Sequence, residues 1–420
     1  MKVLAYTSPA RGHLFPLVPI LDELALRGHS IAIRTLASEV PLMQQRGFAA
    51  AAISPRIEAM EHDDYLARTP QSSIKRAVAV FAARAEHEVE DLRAAIEAER
   101  PDAILVDAMT WGATAAAEAW GGPWAQWFPY PMPLPSPDVP PFGPGFRPAA
   151  GALGRARDRA LGFASEKMWA RGLPALNAAR VELGLDPLAS VFEQFDRADR
   201  LLVLTSAAFD YPSCPVPGNA RYVGPRLDDP SWAEGWTSPW PADDRRPLVL
   251  VGLSSTYQDQ LPMVCRVVEA LGRLPVRALV TLGPAVTAGD LAPPDNVLVV
   301  ASAPHGSILP HAAAVITHAG HGTAIKALAA GVPLVCLPMG RDQDDTAARV
   351  VLTGGGVRLK PSASVNSIAA ATRDVLDGAH YRDAARAMAR AIAAETQTDR
   401  AVAELEALAT SREPALSTGP

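Results

Sequence analysis

HAGHGTAIKALAAGVPLVCLPMGRDQ, residues 318–343, is the stretch from which the fold is read. AAAVIT, residues 312–317, precedes it and has the small and branched apolar residues of a short buried strand. HAGHGT then turns sharply, with Gly320 and Gly322 free of side chains that would block close approach. TAIKALAAG has helical composition and stops at Gly331. VPLVCLP is again apolar and strand-like, and Asp342 and Gln343 stand just past its end. A strand, a glycine-rich turn and a helix N-terminus make an anion site, because free backbone N–H groups and the positive end of the helix dipole point at the ligand. In an open α/β sheet, ligands bind where strands end. The stretch therefore predicts a phosphate cradle formed by His318, Gly320, Gly322 and Thr323, with Asp342 and Gln343 at the next strand end to meet a second part of the ligand.

The same alternation continues outward. PLVLVGL (247–253), VRALVTL (276–282) and NVLVV (296–300) read as strands, 258–272 as a helix, and helices are expected over 364–377 and 379–408. The first half starts alike. KVLAY (2–6) reads as a buried strand and TSPARGH as a loop; Leu14, Leu17, Val18, Leu21 and Leu24 then fall at helical spacing up to Gly28. SIAIRTL (30–36) is the next strand, so the opening predicts a right-handed βαβ unit. A long helix over 72–99, strands AILV (103–106) and PWAQWF (123–128), a helical region 151–183 and a strand RLLVLTS (200–206) complete this half. Residues 207–247 are proline-rich with little periodicity and read as an interdomain connection. The simplest organisation is an α/β chain of two βαβ-type domains, 1–206 and 248–385, with 386–410 as a C-terminal helix and 411–420 as a frayed tail.

Composition bounds the function. The chain has 420 residues, 49% hydrophobic and 20% charged, a soluble globular balance with room for two or three cores. A net charge of −6 and the absence of a long Lys/Arg run argue against a nucleic-acid partner. Three scattered cysteines (Cys214, Cys265, Cys336) match no metal spacing or disulfide framework, so a cytoplasmic protein without a metal is expected. The apolar run VLAY is too short for a signal peptide, and no stretch is long enough to span a membrane.

Single residues outside the cradle carry weaker signals. His13 follows the first strand; a lone histidine is more often structural, but a strand's C-terminal end is where ligands bind. Asp107 also ends a strand, where an aspartate is commonly a cap or turn residue. If strands 2–6 and 103–106 lie side by side, Asp107 comes near His13 and fixes its tautomer; Asp102 precedes the strand and is the poorer choice. Ser255 and Thr256, after the strand 247–253, are further hydrogen-bond donors for the anion, or only turn residues. The stretch 124–148 is rich in proline and aromatics. Its Trp127, Tyr130, Met132 and Phe142 read either as core or as the stiff wall of an apolar pocket.

Five features, taken in order, resemble the NDP-sugar-dependent natural-product glycosyltransferases of the GT-B fold. They are RGHLFP (11–16), Asp107, VGP (223–225), SAPHGSILPHAAAVITHAGHGT (302–323) and GVPLVCLPMGRDQ (331–343). The resemblance implies two Rossmann-like domains with parallel sheets facing a central cleft. The first holds a hydrophobic acceptor such as a polyketide, macrolide or flavonoid, the second holds the nucleotide sugar, and the C-terminal helix crosses back to the first. It implies His13 as general base and Asp107 as its partner, the cradle under the diphosphate, and Asp342 and Gln343 on sugar hydroxyls. His13 suits a base, since an unperturbed imidazole pKa of about 6.5 lets it accept a hydroxyl proton near neutrality. No cofactor beyond the NDP-sugar donor substrate is implied, and the chain is expected to be a monomer or homodimer.

Two positions depart from the family pattern. Ser302 stands where many members carry an aromatic that stacks on the nucleobase, which leaves base binding to backbone near Ala303. Lys326 stands where many carry a glutamate that bonds both ribose hydroxyls, and lysine accepts no hydrogen bond. A dTDP-sugar, lacking the 2′-hydroxyl, loses less from that change than a UDP-sugar. Other readings are a non-catalytic GT-B helper of a partner enzyme, a nucleotide-sugar epimerase, and a dinucleotide oxidoreductase. The last lacks its G-x-G-x-x-G, since Ile325 follows Gly320 and Gly322 where the third glycine belongs.

Overall fold

A computed structural model describes residues 1–410 apart from 68, 137, 150, 229–235, 254–256, 284–285, 287–288, 290 and 397–398. Ser255, Thr256 and the expected tail 411–420 thus lie outside the described residues.

Two parallel sheets carry the fold. The first contains β1 (Lys2–Tyr6), β2 (Ser30–Thr35), β3 (Ala49–Ala52), β4 (Ala103–Asp107), β5 (Trp124–Phe128), β6 (Arg200–Val203) and β7 (Ala220–Tyr222), in spatial order 3-2-1-4-5-6-7. The second contains β8 (Leu248–Gly252), β9 (Arg277–Thr281), β10 (Val297–Val300), β11 (Ala312–Thr317), β12 (Leu334–Cys336) and β13 (Gly356–Arg358), in order 10-9-8-11-12-13. Every residue of β4, β5 and β8 is buried, as sheets covered on both faces by helices require. Strand order reverses beside β1 in one sheet and beside β8 in the other, and a crevice for a ligand opens at such points.

Several elements depart from expectation. The first helix is Arg11–Leu26, so His13 lies in its first turn rather than in the loop before it. The N–H groups of His13 and Leu14 both bond to the Ala10 carbonyl, but no side chain caps this end, so nothing in RGH marks the start. The long helix is Pro70–Glu99, opened by a capping box in which Thr69 and Ser72 satisfy each other's backbone N–H groups. β3 has the sequence AAAA, a helix former held extended by pairing with Ala32–Thr35 of β2.

The expected connection 207–247 needs correction. Ala220–Tyr222 pairs with Leu201–Val203, so the first sheet continues to Tyr222; three residues between proline-rich segments give no periodic signal. The expected C-terminal helix 386–410 is two helices. In Ala379–Glu395, residues Ala385, Met388 and Ile392 pack in the core of the second half, beside Ala324 and Leu328. Arg400–Thr410 returns to the core of the first half, where Ala401, Val402, Leu405 and Leu408 join Leu14, Leu17 and Leu21. No described helix is long and apolar enough to cross a membrane.

Candidate functional site

A cleft of about 1180 Å³ lies between the sheets, lined by residues just beyond their strand ends: Ser8 after β1, Met109 after β4, Leu253 after β8, His318 after β11 and Met339 after β12. His13 stands on its first-half wall. β1 and β4 are neighbours in register, Val3 to Ala103 through Tyr6 to Val106, and this brings the residues following them together. His13 Nδ1 lies 2.9 Å from Asp107 Oδ2 and 3.1 Å from Oδ1. Asp107 is fully buried and accepts from Ser8 N–H (3.1 Å), Ser8 Oγ (2.6 Å) and Met109 N–H (2.9 Å). Burial works against its charged form, yet His13 and these bonds hold the carboxyl below the ordinary aspartate value. Burial likewise opposes the charged imidazole, but the charge and hydrogen bond of Asp107 outweigh it and raise His13 above the ordinary histidine value. With Nδ1 held by the carboxylate, Nε2 is the nitrogen left to meet a ligand.

The opposite wall carries the glycine turn. The helix His321–Ala329 begins right after it, and His318, Gly320, Gly322 and Thr323 all line the cleft. A Cβ on Gly320 would stand 2.5 Å from His318 Nε2, so this glycine is what lets the imidazole lie across the turn. Around Gly322 there is open space. Burial pushes His318 down to about 4, aided by Arg341 and opposed by a backbone hydrogen bond at Gly252. It is therefore neutral near pH 7, a state in which an imidazole can meet an anion only as a hydrogen-bond donor. Ala303 and Lys326 also line this wall, and Lys326 Nζ reaches the Asp228 carbonyl at 2.5 Å.

Asp342 and Gln343 sit together but differ in what they leave free. Asp342 occupies the N-cap position of the helix Gln343–Leu352 without a side-chain capping bond. Burial raises its carboxyl above the ordinary value while His13 and Arg341 pull it down, which places it within electrostatic reach of the first-half histidine. Gln343 is 2% exposed, and its amide is engaged on both atoms: Oε1 accepts the Met339 N–H at 2.8 Å and Nε2 donates to Gln258 Oε1 at 3.0 Å.

The aromatic segment divides. Tyr130 and Phe142 line the cleft, stacked at 6.1 Å, and Tyr130 meets His13 edge-on at 5.7 Å. Trp127 and Met132 do not: Trp127 is fully buried beside Leu105 and Leu202, and Met132 is 2% exposed in a cluster with Phe128 and Trp169. Their expected place in the pocket wall is corrected to core, Trp127 because β5 is buried on both faces and Met132 because the chain after β5 turns it into the cluster of Phe128 and Trp169. Sequence reasoning missed the rest of the wall. Ile74, Ala77 and Phe81 of the helix Pro70–Glu99 line the cleft, and their spacing of three and four was the available signal. It also missed Arg341, whose guanidinium bridges the halves with two 2.9 Å bonds to Asp64 from a left-handed backbone at φ 59°. Among the described residues no group of three or more His, Cys, Asp or Glu is placed to hold a metal.

The site thus offers a carboxylate-backed imidazole facing an anion cradle across an aromatic-walled cleft. Known proteins share this chain's layout. The family description "Erythromycin biosynthesis protein CIII-like, C-terminal domain" matches residues 265–408. The 4'-demethylrebeccamycin synthase of Lentzea aerocolonigenes is 30% identical over 405 residues, covering 91% of this chain and 93% of that protein. CalG4, the calicheamicin glycosyltransferase, superposes with a TM-score of 0.73 at 23% identity, over 98% of this chain and 99% of that one. The glycosyltransferase VinC, solved in complex with DTDP, superposes with a TM-score of 0.68 at 20% identity, over 98% and 100%.

Proposed function

The chain belongs to the GT-B natural-product glycosyltransferases of antibiotic biosynthesis, and from that premise we propose that it moves a hexose or deoxyhexose from a nucleoside-diphosphate sugar to a hydrophobic acceptor with inversion, His13 acting as base. The observation that carries this reading is the His13–Asp107 pair, 2.9 Å apart, on the wall opposite the glycine turn. His13 Nε2 takes the acceptor hydroxyl's proton as its oxygen attacks the anomeric carbon. Asp107 keeps the proton on Nδ1 beforehand and stabilises the imidazolium that forms. The bond between the anomeric carbon and the diphosphate oxygen breaks, and negative charge grows on the departing nucleoside diphosphate. His318, Thr323 and the N–H groups at the start of the helix His321–Ala329 meet that charge.

Asp342, bonded to backbone at its own N–H and at His321, keeps carboxylate lone pairs with which to accept from a sugar hydroxyl. Gln343 reaches the sugar less directly, because its amide holds the Met339 N–H and Gln258. Tyr130 and Phe142 flank the acceptor; the backbone at Ala303 meets the base. We favour a dTDP-sugar over a UDP-sugar: Lys326 cannot accept from a ribose 2′-hydroxyl, and the similarly folded VinC binds DTDP. The first half, completed by the helix Arg400–Thr410, takes the acceptor, and the second half takes the donor.

The test is a matrix of dTDP- and UDP-sugars against polyketide, macrolide and flavonoid acceptors, read by mass spectrometry with and without chelator. Products carrying one added sugar, unchanged by chelator, are expected. Transfer from no nucleoside-diphosphate sugar would sink the proposal and favour the non-catalytic helper.

A further inference from the structure

The cleft-lining stripe of the helix Pro70–Glu99 is apolar through Ile74, Ala77 and Phe81, and then ends in a cation. Arg84 is the next residue at the same spacing and lines the same cleft. It is 4% exposed. Its Nη1 faces His62 Nε2 at 3.4 Å, its Nη2 donates to the Met60 carbonyl, and its Nε has no partner. A guanidinium carries five N–H donors, so donors remain for a ligand.

What Arg84 lacks, among the described residues, is a carboxylate in direct contact. Two other arginines buried as deeply each have one: Arg180 pairs with Glu118 at 2.6 Å and Arg349 with Asp210 at 2.7 Å. No carboxylate among the described residues pairs with Arg84 in this way. Glu88, one turn along, acts on Arg84 only through space: its carboxyl accepts the Gly112 N–H at 2.9 Å, and burial pushes it up to about 8 although the Arg84 charge lowers it. A buried charge with no opposite charge is strongly unfavourable, and an anion from the ligand removes that cost. A neutral carbonyl would satisfy a donor but leave the charge uncompensated.

The place fits an acceptor. His62 lines the cleft beside Arg84, and the charges of Arg84, Asp64, Arg341 and His13 all bear on it. Phe81, edge-on to His62 at 5.4 Å, and Trp169 both line the cleft here and give it an aromatic surface for flat rings. We infer that Arg84 is a specificity site that pairs with an acidic oxygen, a carboxylate or an ionised phenol, borne by an otherwise flat and apolar acceptor whose reacting hydroxyl lies at His13. This rests on the sugar-transfer reading and names the acceptor class for that same cleft.

The test uses four anthraquinones that share one glycosylatable hydroxyl: the parent, its carboxylic acid, the methyl ester of that acid, and a derivative with a second, acidic phenol. Binding to the full chain without donor is measured by fluorescence titration, and transfer by mass spectrometry. The acid or the acidic phenol should bind roughly 10-fold or more tightly than the ester and parent, the worth of a hydrogen-bonded charge, and whichever does identifies the anion. Arg84→Met should abolish that preference while ester binding persists. Arg84→Lys should keep part of it, having the charge without the fork. Equal binding of all four by the wild type, failure of both acidic compounds to bind, or a preference that survives Arg84→Met would overturn the inference. The wild-type comparison decides even if Arg84→Met does not fold. Selective binding without transfer to any compound counts against the transferase reading alone; transfer with no acid preference counts against Arg84 alone.

Discussion

The two walls of the cleft hold their histidines in opposite states. β4 and β11 occupy the same place in their sheets, each beside its sheet's first strand. β4 ends in a carboxylate, Asp107, and the histidine it faces is raised above its ordinary pKa. β11 ends in Thr317 and is followed by His318, which has no carboxylate partner and is pushed down to about 4. His321, three residues on, is pushed down to about 3, and neither of its ring nitrogens has a partner. Loss of hydration opposes the charge on all three, so the neighbour decides whether an imidazole holds a proton or only lends one. In the proposed reaction the wall that takes a proton from the acceptor has the carboxylate, and the wall proposed to meet the diphosphate keeps its histidine neutral.

This contrast can be broken from either side. The largest effect is expected for His13→Ala, a fall of about 10²- to 10⁴-fold in kcat/KM for transfer with dTDP binding unchanged, measured by steady-state kinetics and calorimetry. Loss of dTDP binding by the same factor would place His13 in the donor site instead. Asp107→Asn should cost less, on the order of 10- to 100-fold, because the base survives without its charge partner. Its pH profile is the sharper readout. A raised His13 stays protonated, and so unable to act as base, to a higher pH; removing the carboxylate should therefore move the acidic limb of kcat/KM to lower pH. The same pair stabilises the fold fully below the ordinary histidine pKa, and this contribution fades as pH rises through the raised value. An unmoved limb in Asp107→Asn would mean that the 2.9 Å contact does not set the basicity of His13.

On the other wall, Gly320→Ala puts a Cβ 2.5 Å from His318 Nε2 and must displace the imidazole, so donor KM should rise about tenfold, with acceptor KM little changed. Gly322→Ala, with open space around it, leaves the His318 imidazole in place, so a rise in donor KM there would report crowding of the ligand rather than loss of that imidazole. The smallest effect is on stability. His321 is buried neutral against Phe209, so the unfolded chain binds its proton first and stability falls as pH drops from about 6.5 toward 3. His321→Phe should shrink the loss of Tm between pH 7.5 and 5 by roughly a few degrees. An unchanged loss would show that other groups dominate acid unfolding.

What could be read in the residues, and what could not, follows from physics. AAAVIT matches β11 residue for residue because it is an apolar run bounded by a histidine and a glycine turn. The approach of Asp107 to His13 was readable because a right-handed βαβ unit leaves few places for the next strand. Trp127 and Met132 were misplaced because a pocket wall and a core use the same residue types, and only the burial of β5 and of the chain after it separates them. Arg84 was invisible because a helical arginine is ordinarily a solvated one; its meaning lies in the carboxylate it lacks, and absence has no pattern in a sequence. β3 and β7 were hidden because pairing, rather than propensity, makes AAAA and ARY extended.

The helix Arg400–Thr410 has a consequence for how the molecule is made. Ala401, Val402, Leu405 and Leu408 complete the core around Leu14, Leu17 and Leu21, yet a ribosome reaches them only after the whole second half. The first half must therefore wait, its first helix uncovered on one side, until residues 401–408 emerge. The second half, whose core draws on Ala385, Met388 and Ile392, can close slightly earlier. The half that begins synthesis is thus the last to finish folding, and a chimera that exchanges first halves between such chains must carry this helix along with residues 1–222.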